Sequence, residues 1–237
     1  IVQIKMDLKA QIKKLSLWIF IVPFIAINLC LFISVNYNLF ENTFLQVDQI
    51  GRSGPTFPYI DGGVSISRTA RTYPTYLIFK PAMIVGSFLL IIYWLKTNRL
   101  INLYQNEESK KNLFRIFGIL SAIFLITHSI FLGIKFEYDL YKFFRRFVLL
   151  AFIIFEIIAQ SLLVFRLYKI KKIIFNDINN YVLYLKIILV TILVIVAIAS
   201  LPIVVTSGNV NFKHALEWNY FFGVILFYIL TFLFWKK

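Results

Sequence analysis

Leu15–Val35 reads LSLWIFIVPFIAINLCLFISV, 21 residues without a single charge. A helix of that length rises ~31 Å, enough to cross the hydrocarbon core of a bilayer. The run lacks a small-residue cleavage site and is too long for a signal-peptide core, so it reads as a retained first helix. Comparable runs recur at 76–95, 113–134, 147–165, 181–206 and 214–235, which gives six expected spans. The loops between them are short except for the 36–75 connection, so neighbouring helices should pack as antiparallel pairs. The expected fold class is all-α: a polytopic membrane protein, one six-helix transmembrane bundle with a long first loop.

Composition points the same way. The 237-residue chain is 60 % hydrophobic, with a mean hydropathy of +0.80, and this excludes an ordinary soluble domain. The net charge is +14, from 25 Lys and Arg against 11 Asp and Glu. A basic excess can serve nucleic acid or an anionic membrane surface; here the basic residues flank apolar runs, so no nucleic-acid partner is expected. Sixteen of the 25 basic residues fall at the N-terminus, the 96–112 and 167–181 loops, the C-terminus and the adjoining span ends, with Lys110, Lys111, Lys186 and Lys237 among them. The other side carries nine, including Arg68, Arg71, Lys80, Lys135, Lys142, Arg145 and Arg146. The positive-inside rule makes the first side cytoplasmic, with both termini there, and makes 36–75 a luminal or extracellular loop. Cys30 is the one cysteine and sits inside an apolar run, which rules out an intrachain disulfide. No metal-type spacing and no cofactor motif occurs, so neither a metal nor a cofactor is expected. Residue 1 is not a methionine, so it reads as a fragment boundary, with Met6 a candidate start.

Ionisable side chains inside hydrocarbon are costly and mark functional candidates. Glu156 lies in the middle of FVLLAFIIFEIIAQSLLVF (147–165), with Gln160 one turn on and on the same face. The pair is either helix-to-helix glue or a proton or ligand site. His128 lies in SAIFLITHSIFLGI (121–134), sharing its face with Ser121 and Leu125. His214 and Glu217 share a face in NFKHALEWNYFF (211–222), beside the interfacial aromatics Trp218 and Tyr220. By the topology His128, His214 and Glu217 occupy one half of the bundle, on the side of the long loop. They are the candidate acid–base residues, set against a plainer reading in packing and interfacial anchoring.

The long loop carries DGGVSISRTARTYP (61–74), polar and basic between two greasy helices. Arg68 and Arg71 have the chemistry to grip a lipid phosphate bidentately, Ser65 and Ser67 add hydroxyls, and Gly62 and Gly63 permit close backbone approach. These serines and arginines are the candidate head-group contacts; the plainer alternative is a solvated turn.

The layout and several short motifs resemble the FRAG/DRAM/Sfk family of membrane proteins. The matching residues are Ser65-Ile66-Ser67 in the first loop, then Pro74, Phe79-Lys80 at the start of the second span, and Glu217-Trp218 in the last. Val64 stands where that family usually has Pro, and Lys80 where Arg is common. The resemblance implies a role in endomembrane lipid handling in the ER or Golgi. Specifically, it implies fatty-acid remodelling of GPI anchors on the luminal leaflet, with a membrane lipid or GPI-anchored substrate as partner. It does not by itself assign a reaction. Two further readings stand beside it: a non-catalytic subunit contacting membrane-protein partners, and a transporter using Glu156 as a proton site.

Overall fold

A backbone in hydrocarbon has no hydrogen-bond partner but itself, and long apolar runs therefore become helices. The computed structural model describes residues 2–105, 112–134, 139–205 and 208–236. Lys110, Lys111, Lys135, Lys237 and residue 206 lie outside the described residues. Among the described residues 80 % are helical and none forms a strand. Seven α-helices follow one another: α1 (Val2–Val35), α2 (Ile66–Ala70), α3 (Tyr76–Gln105), α4 (Leu113–Phe131), α5 (Asp139–Lys169), α6 (Asn180–Val205) and α7 (Val210–Phe234). All but the short α2 are long and apolar enough to cross a membrane. The chain is therefore an integral, multi-pass membrane protein.

The helices overrun the apolar stretches that announce them. Helix α1 begins at Val2 and not near Leu15, because Leu8 and Ile12 are buried on one side of its lysine-rich start. Helix α3 runs on to Gln105, burying Leu100, Ile101 and Tyr104 beyond the expected end. Helix α5 starts at Asp139, ahead of Phe147. Pro23, Pro81 and Pro202 sit inside α1, α3 and α6, as membrane helices tolerate.

Helix contacts trace a ring. Helix α1 packs on α3, α3 on α4, α4 on α5, α5 on α6, α6 on α7, and α7 closes back on α1. A further contact of α5 with α7 leaves α6 at the periphery. The start of α1, the 170–179 turn and the end of α7 meet at one end of the bundle. There the Lys9 ammonium lies 2.5 Å from Asp177 Oδ1, and Tyr104 donates to Asp177 Oδ2 at 2.7 Å. Lys13 donates to the Trp235 carbonyl at 2.8 Å. At the same end, Asn112 donates to Asn98 and Asn102 at 2.9 Å each, tying the start of α4 to the end of α3.

At the opposite end the 36–75 connection folds over the bundle. It contains two 3-10 turns (Tyr37–Phe40 and Gln49–Gly51) and the five-residue helix α2. Ser65 caps α2, its hydroxyl accepting from the Arg68 N–H at 3.2 Å.

Candidate functional site

The 61–74 segment is clamped to the first turns of α7. Gly62 has φ +62, the left-handed region that favours glycine, and a Cβ there would sit 1.7 Å from the Asn211 carbonyl oxygen. That close approach brings the Gly62 carbonyl 3.0 Å from His214 Nδ1. A carbonyl can only accept, so Nδ1 carries the hydrogen. The buried Trp218 indole N–H donates to the Val64 carbonyl at 2.9 Å. The Glu217 carboxyl, one residue away, accepts from the backbone N–H groups of Ile66 and Ser67. These are the first two residues of α2, so Glu217 puts an acceptor where helix donors are otherwise unpaired. Tyr59 completes the clamp: its carbonyl accepts from Asn219 at 2.6 Å, and its ring meets Trp218 edge to face at 5.1 Å.

Ser65 and Ser67 are half-buried in this arrangement, with hydroxyls 3.4 Å apart, and the cap occupies Ser65. Arg68 and Arg71 point outward and are exposed. Arg68 Nε donates to the Ile50 carbonyl at 3.3 Å. Arg71 is held below the usual arginine value, first by partial desolvation and then by the charges of Arg145 and Arg68. Three guanidinium groups therefore gather at this end, and among the described residues none of them forms an ion pair. Arg145 of α5 was visible in the sequence only as one more basic residue; nothing in its spacing ties it to Arg71.

His128 sits on a different helix from His214 and Glu217. It is buried on α4, whose packing partners are α3 and α5, and its Nδ1 has no hydrogen-bond partner among the described residues. The helix that holds His214 and Glu217 packs on α1, α2 and α6, and it shares α5 with α4. Of the three acid–base candidates, His214 and Glu217 hold the loop from α7, and His128 lies on α4.

The bundle interior holds a second constellation, centred on Glu156, which is 1 % exposed. Gln160 donates to its Oε1 at 3.0 Å and to the Val224 carbonyl at 3.2 Å, as expected for residues one turn apart on one face. Tyr228 of α7 donates to the same oxygen, and Ser121 Oγ of α4 lies 2.6 Å from Oε2. The Trp94 indole faces the same carboxyl but falls short of a hydrogen bond. Gly118 makes room for that indole: a Cβ at 118 would sit 2.4 Å from its ring atoms.

Lys186 belongs to the same interior. The charge count places it at a span end, yet it is 0 % exposed. Its ammonium donates to Thr231 Oγ1 at 2.6 Å and stands 3.9 Å from the centre of the Phe227 ring and 5.3 Å from that of Phe234. Tyr93 OH lies 3.5 Å from Thr231 Oγ1, and the Tyr93 and Tyr228 rings meet edge to face at 5.1 Å. One signal for this role is present in the sequence. Lys186 is five residues into the expected fifth span, ~7.5 Å down its axis, which is deep for a terminal charge. Tyr93, Tyr228 and Thr231 carry no such signal, since hydroxyl residues are common in membrane helices.

Comparison of the chain with protein-family models, with curated proteins and with solved structures finds no match.

Proposed function

We propose that this protein handles lipid at the end of the bundle covered by the 36–75 connection, recognising a phosphate-bearing head group there. The observation that carries this reading is the cluster of Arg68, Arg71 and Arg145, three cations without an acidic partner among the described residues. Guanidinium groups match phosphate bidentately, and a clamped loop holds two of them in place at little further entropic cost. With the positive-inside orientation this face is luminal and both termini are cytoplasmic. Fatty-acid remodelling of GPI anchors in ER or Golgi membranes is the specific role we assign, since a GPI anchor carries its phosphates on that leaflet. One contact supports the family resemblance behind that role. Glu217-Trp218 binds the backbone from Val64 to Ser67, so two motifs far apart in sequence meet in space. Glu217 and His214 Nδ1 spend their polar capacity on holding the loop, which favours binding over acid–base chemistry at those atoms.

The test uses the full chain in nanodiscs with and without phosphatidylinositol. R68A and R71A should each weaken retention of the anionic lipid, by about tenfold for one charge-assisted contact. Equal retention by both variants and the parent would sink the head-group reading. Unaltered anchor acyl chains by mass spectrometry in cells lacking the protein would remove the GPI role alone.

A further inference from the structure

The turn between α5 and α6 is pinned to the bundle on one side and presents large side chains on the other. Ile170, Ile174 and Ile178 are buried, and Lys9 and Tyr104 take up Asp177. The Asn179 N–H donates to the Phe234 carbonyl at 2.8 Å, and the Lys236 N–H donates to the Asp177 carbonyl at 2.9 Å. On this fixed turn Ile173 is 59 % exposed and Phe175 54 % exposed, with Lys169 and Lys172 exposed beside them. Apolar side chains held outward in this way are costly in water and favourable in the head-group layer of a bilayer. Two lysines of the turn lie on outward-facing rings. The Lys169 ammonium stands 4.3 Å from the centre of the Phe165 ring on α5, and the Lys171 ammonium stands 4.8 Å from that of Tyr184 on α6. Both rings are exposed, and each lies ~6 Å along the axis from the end of its helix, the level at which aromatics and lysines meet lipid phosphates. Lys171 Nζ donates to the Tyr184 hydroxyl at 3.0 Å, which leaves that hydroxyl its own proton to donate elsewhere. Asp177 is the only acidic residue from 157 to 216, and among the described residues Lys169, Lys171 and Lys172 have no carboxylate within ion-pair range. Beyond Tyr184, α6 exposes Ile188, Ile192 and Ile195 along one face.

We propose that the 169–175 turn and Tyr184 form a seat for an anionic phospholipid. The phosphate accepts from Lys171, Lys172 and the Tyr184 hydroxyl, of which Lys171 and Tyr184 are already joined to each other. An ammonium has three N–H groups, so the bond from Lys171 to Tyr184 leaves two for the lipid. Ile173 and Phe175 enter the head-group layer, and an acyl chain lies along Ile188, Ile192 and Ile195. A basic turn beside an apolar helix face matches a lipid that joins a negative head to an apolar tail. The seat is at the end of the bundle opposite the 36–75 connection, so it stands whether or not the arginine cluster binds lipid. The basic excess at this end favours the cytoplasmic leaflet, whose anionic lipids attract juxtamembrane lysines.

Native mass spectrometry of the full chain, released from phosphatidylcholine nanodiscs holding a minor fraction of phosphatidylserine, reads the bound lipid. K171Q and K172Q should each lower phosphatidylserine retention about fivefold, the share of one juxtamembrane lysine. Y184F keeps the ring and loses the donor, and should lower retention too. Each variant is measured again together with R68A and R71A, which separates a loss at this turn from a loss at the arginine cluster. Retention equal to the parent in both K171Q and K172Q overturns the proposal. A spin label on I173C reads insertion, since Cys30, the other thiol, is buried. The label should collide more with oxygen than with a water-soluble nickel chelate, and the difference should grow when phosphatidylserine is present. A label that meets the nickel chelate more often places the turn in water and overturns the proposal. Dipolar broadening between labels would give the turn to a second copy of the chain and overturns it as well.

Discussion

At the scale of single residues, Gly62 and Gly118 stand where a side chain would collide with its neighbours. Gly62 combines a left-handed backbone with a carbonyl oxygen where a side chain would be. Replacing it with alanine should cost about 1–2 kcal/mol from the backbone alone, before the carbonyl contact is counted. The loop then detaches from α7, and hydrogen exchange at 59–66 should rise while exchange in the spanning helices stays unchanged. Protection at 59–66 equal to that of the parent would show that the clamp does not depend on Gly62. Side-chain legibility at this scale was uneven for a physical reason. Glu156 and Gln160 are one turn apart on a single helix, and helical geometry alone predicts their contact. Lys186 meets Thr231 across two helices, and Arg145 faces Arg71 across a helix and a loop; sequence spacing carries no information about such pairs.

At the scale of elements, the six spanning helices were legible because a bilayer imposes length and apolarity on each of them. Their ends were less so. Amphipathic turns such as the one carrying Leu8 and Ile12 continue a helix past the hydrocarbon without an apolar run to mark it. Helix α2 was hidden in what read as a turn-rich loop. Five residues are too few for a periodic pattern, and the helix depends on Ser65 and Glu217 at its start. Removing the acceptor in E217A should therefore loosen α2 by about 1–3 kcal/mol, the range for leaving a buried donor without its partner. Limited proteolysis within 61–74 should accelerate accordingly, and E217Q, which keeps an acceptor oxygen, should recover part of the protection. Cleavage at the parent rate in E217A would mean that Ser65 alone sustains the helix.

At the scale of the whole molecule, the ring is fastened where its first and last helices meet the 170–179 turn. Desolvation pushes the Asp177 carboxyl up, but Lys9 and Tyr104 bonding to it, with the charges of Lys9 and Lys5, hold it below the ordinary carboxylate value. A depressed folded-state value means that this carboxylate stabilises the fold above about pH 4 and loses that contribution as pH falls through the lowered value. Acidification should thus reduce thermal stability more in the parent than in D177N, where nothing titrates at that position. Parallel losses in the two chains would place the acid sensitivity elsewhere.

Ring closure also has a consequence for biosynthesis. Glu156 takes one of its donors from α4, one from its own helix and one from Tyr228 on α7, which is made after both. Until α7 is inserted, a nascent chain carries an acidic side chain in the bilayer that lacks its phenol donor. A message truncated before Tyr228 therefore yields a product with an intramembrane acid only partly satisfied, the kind of defect by which quality control in a membrane can tell an unfinished polypeptide from a finished one.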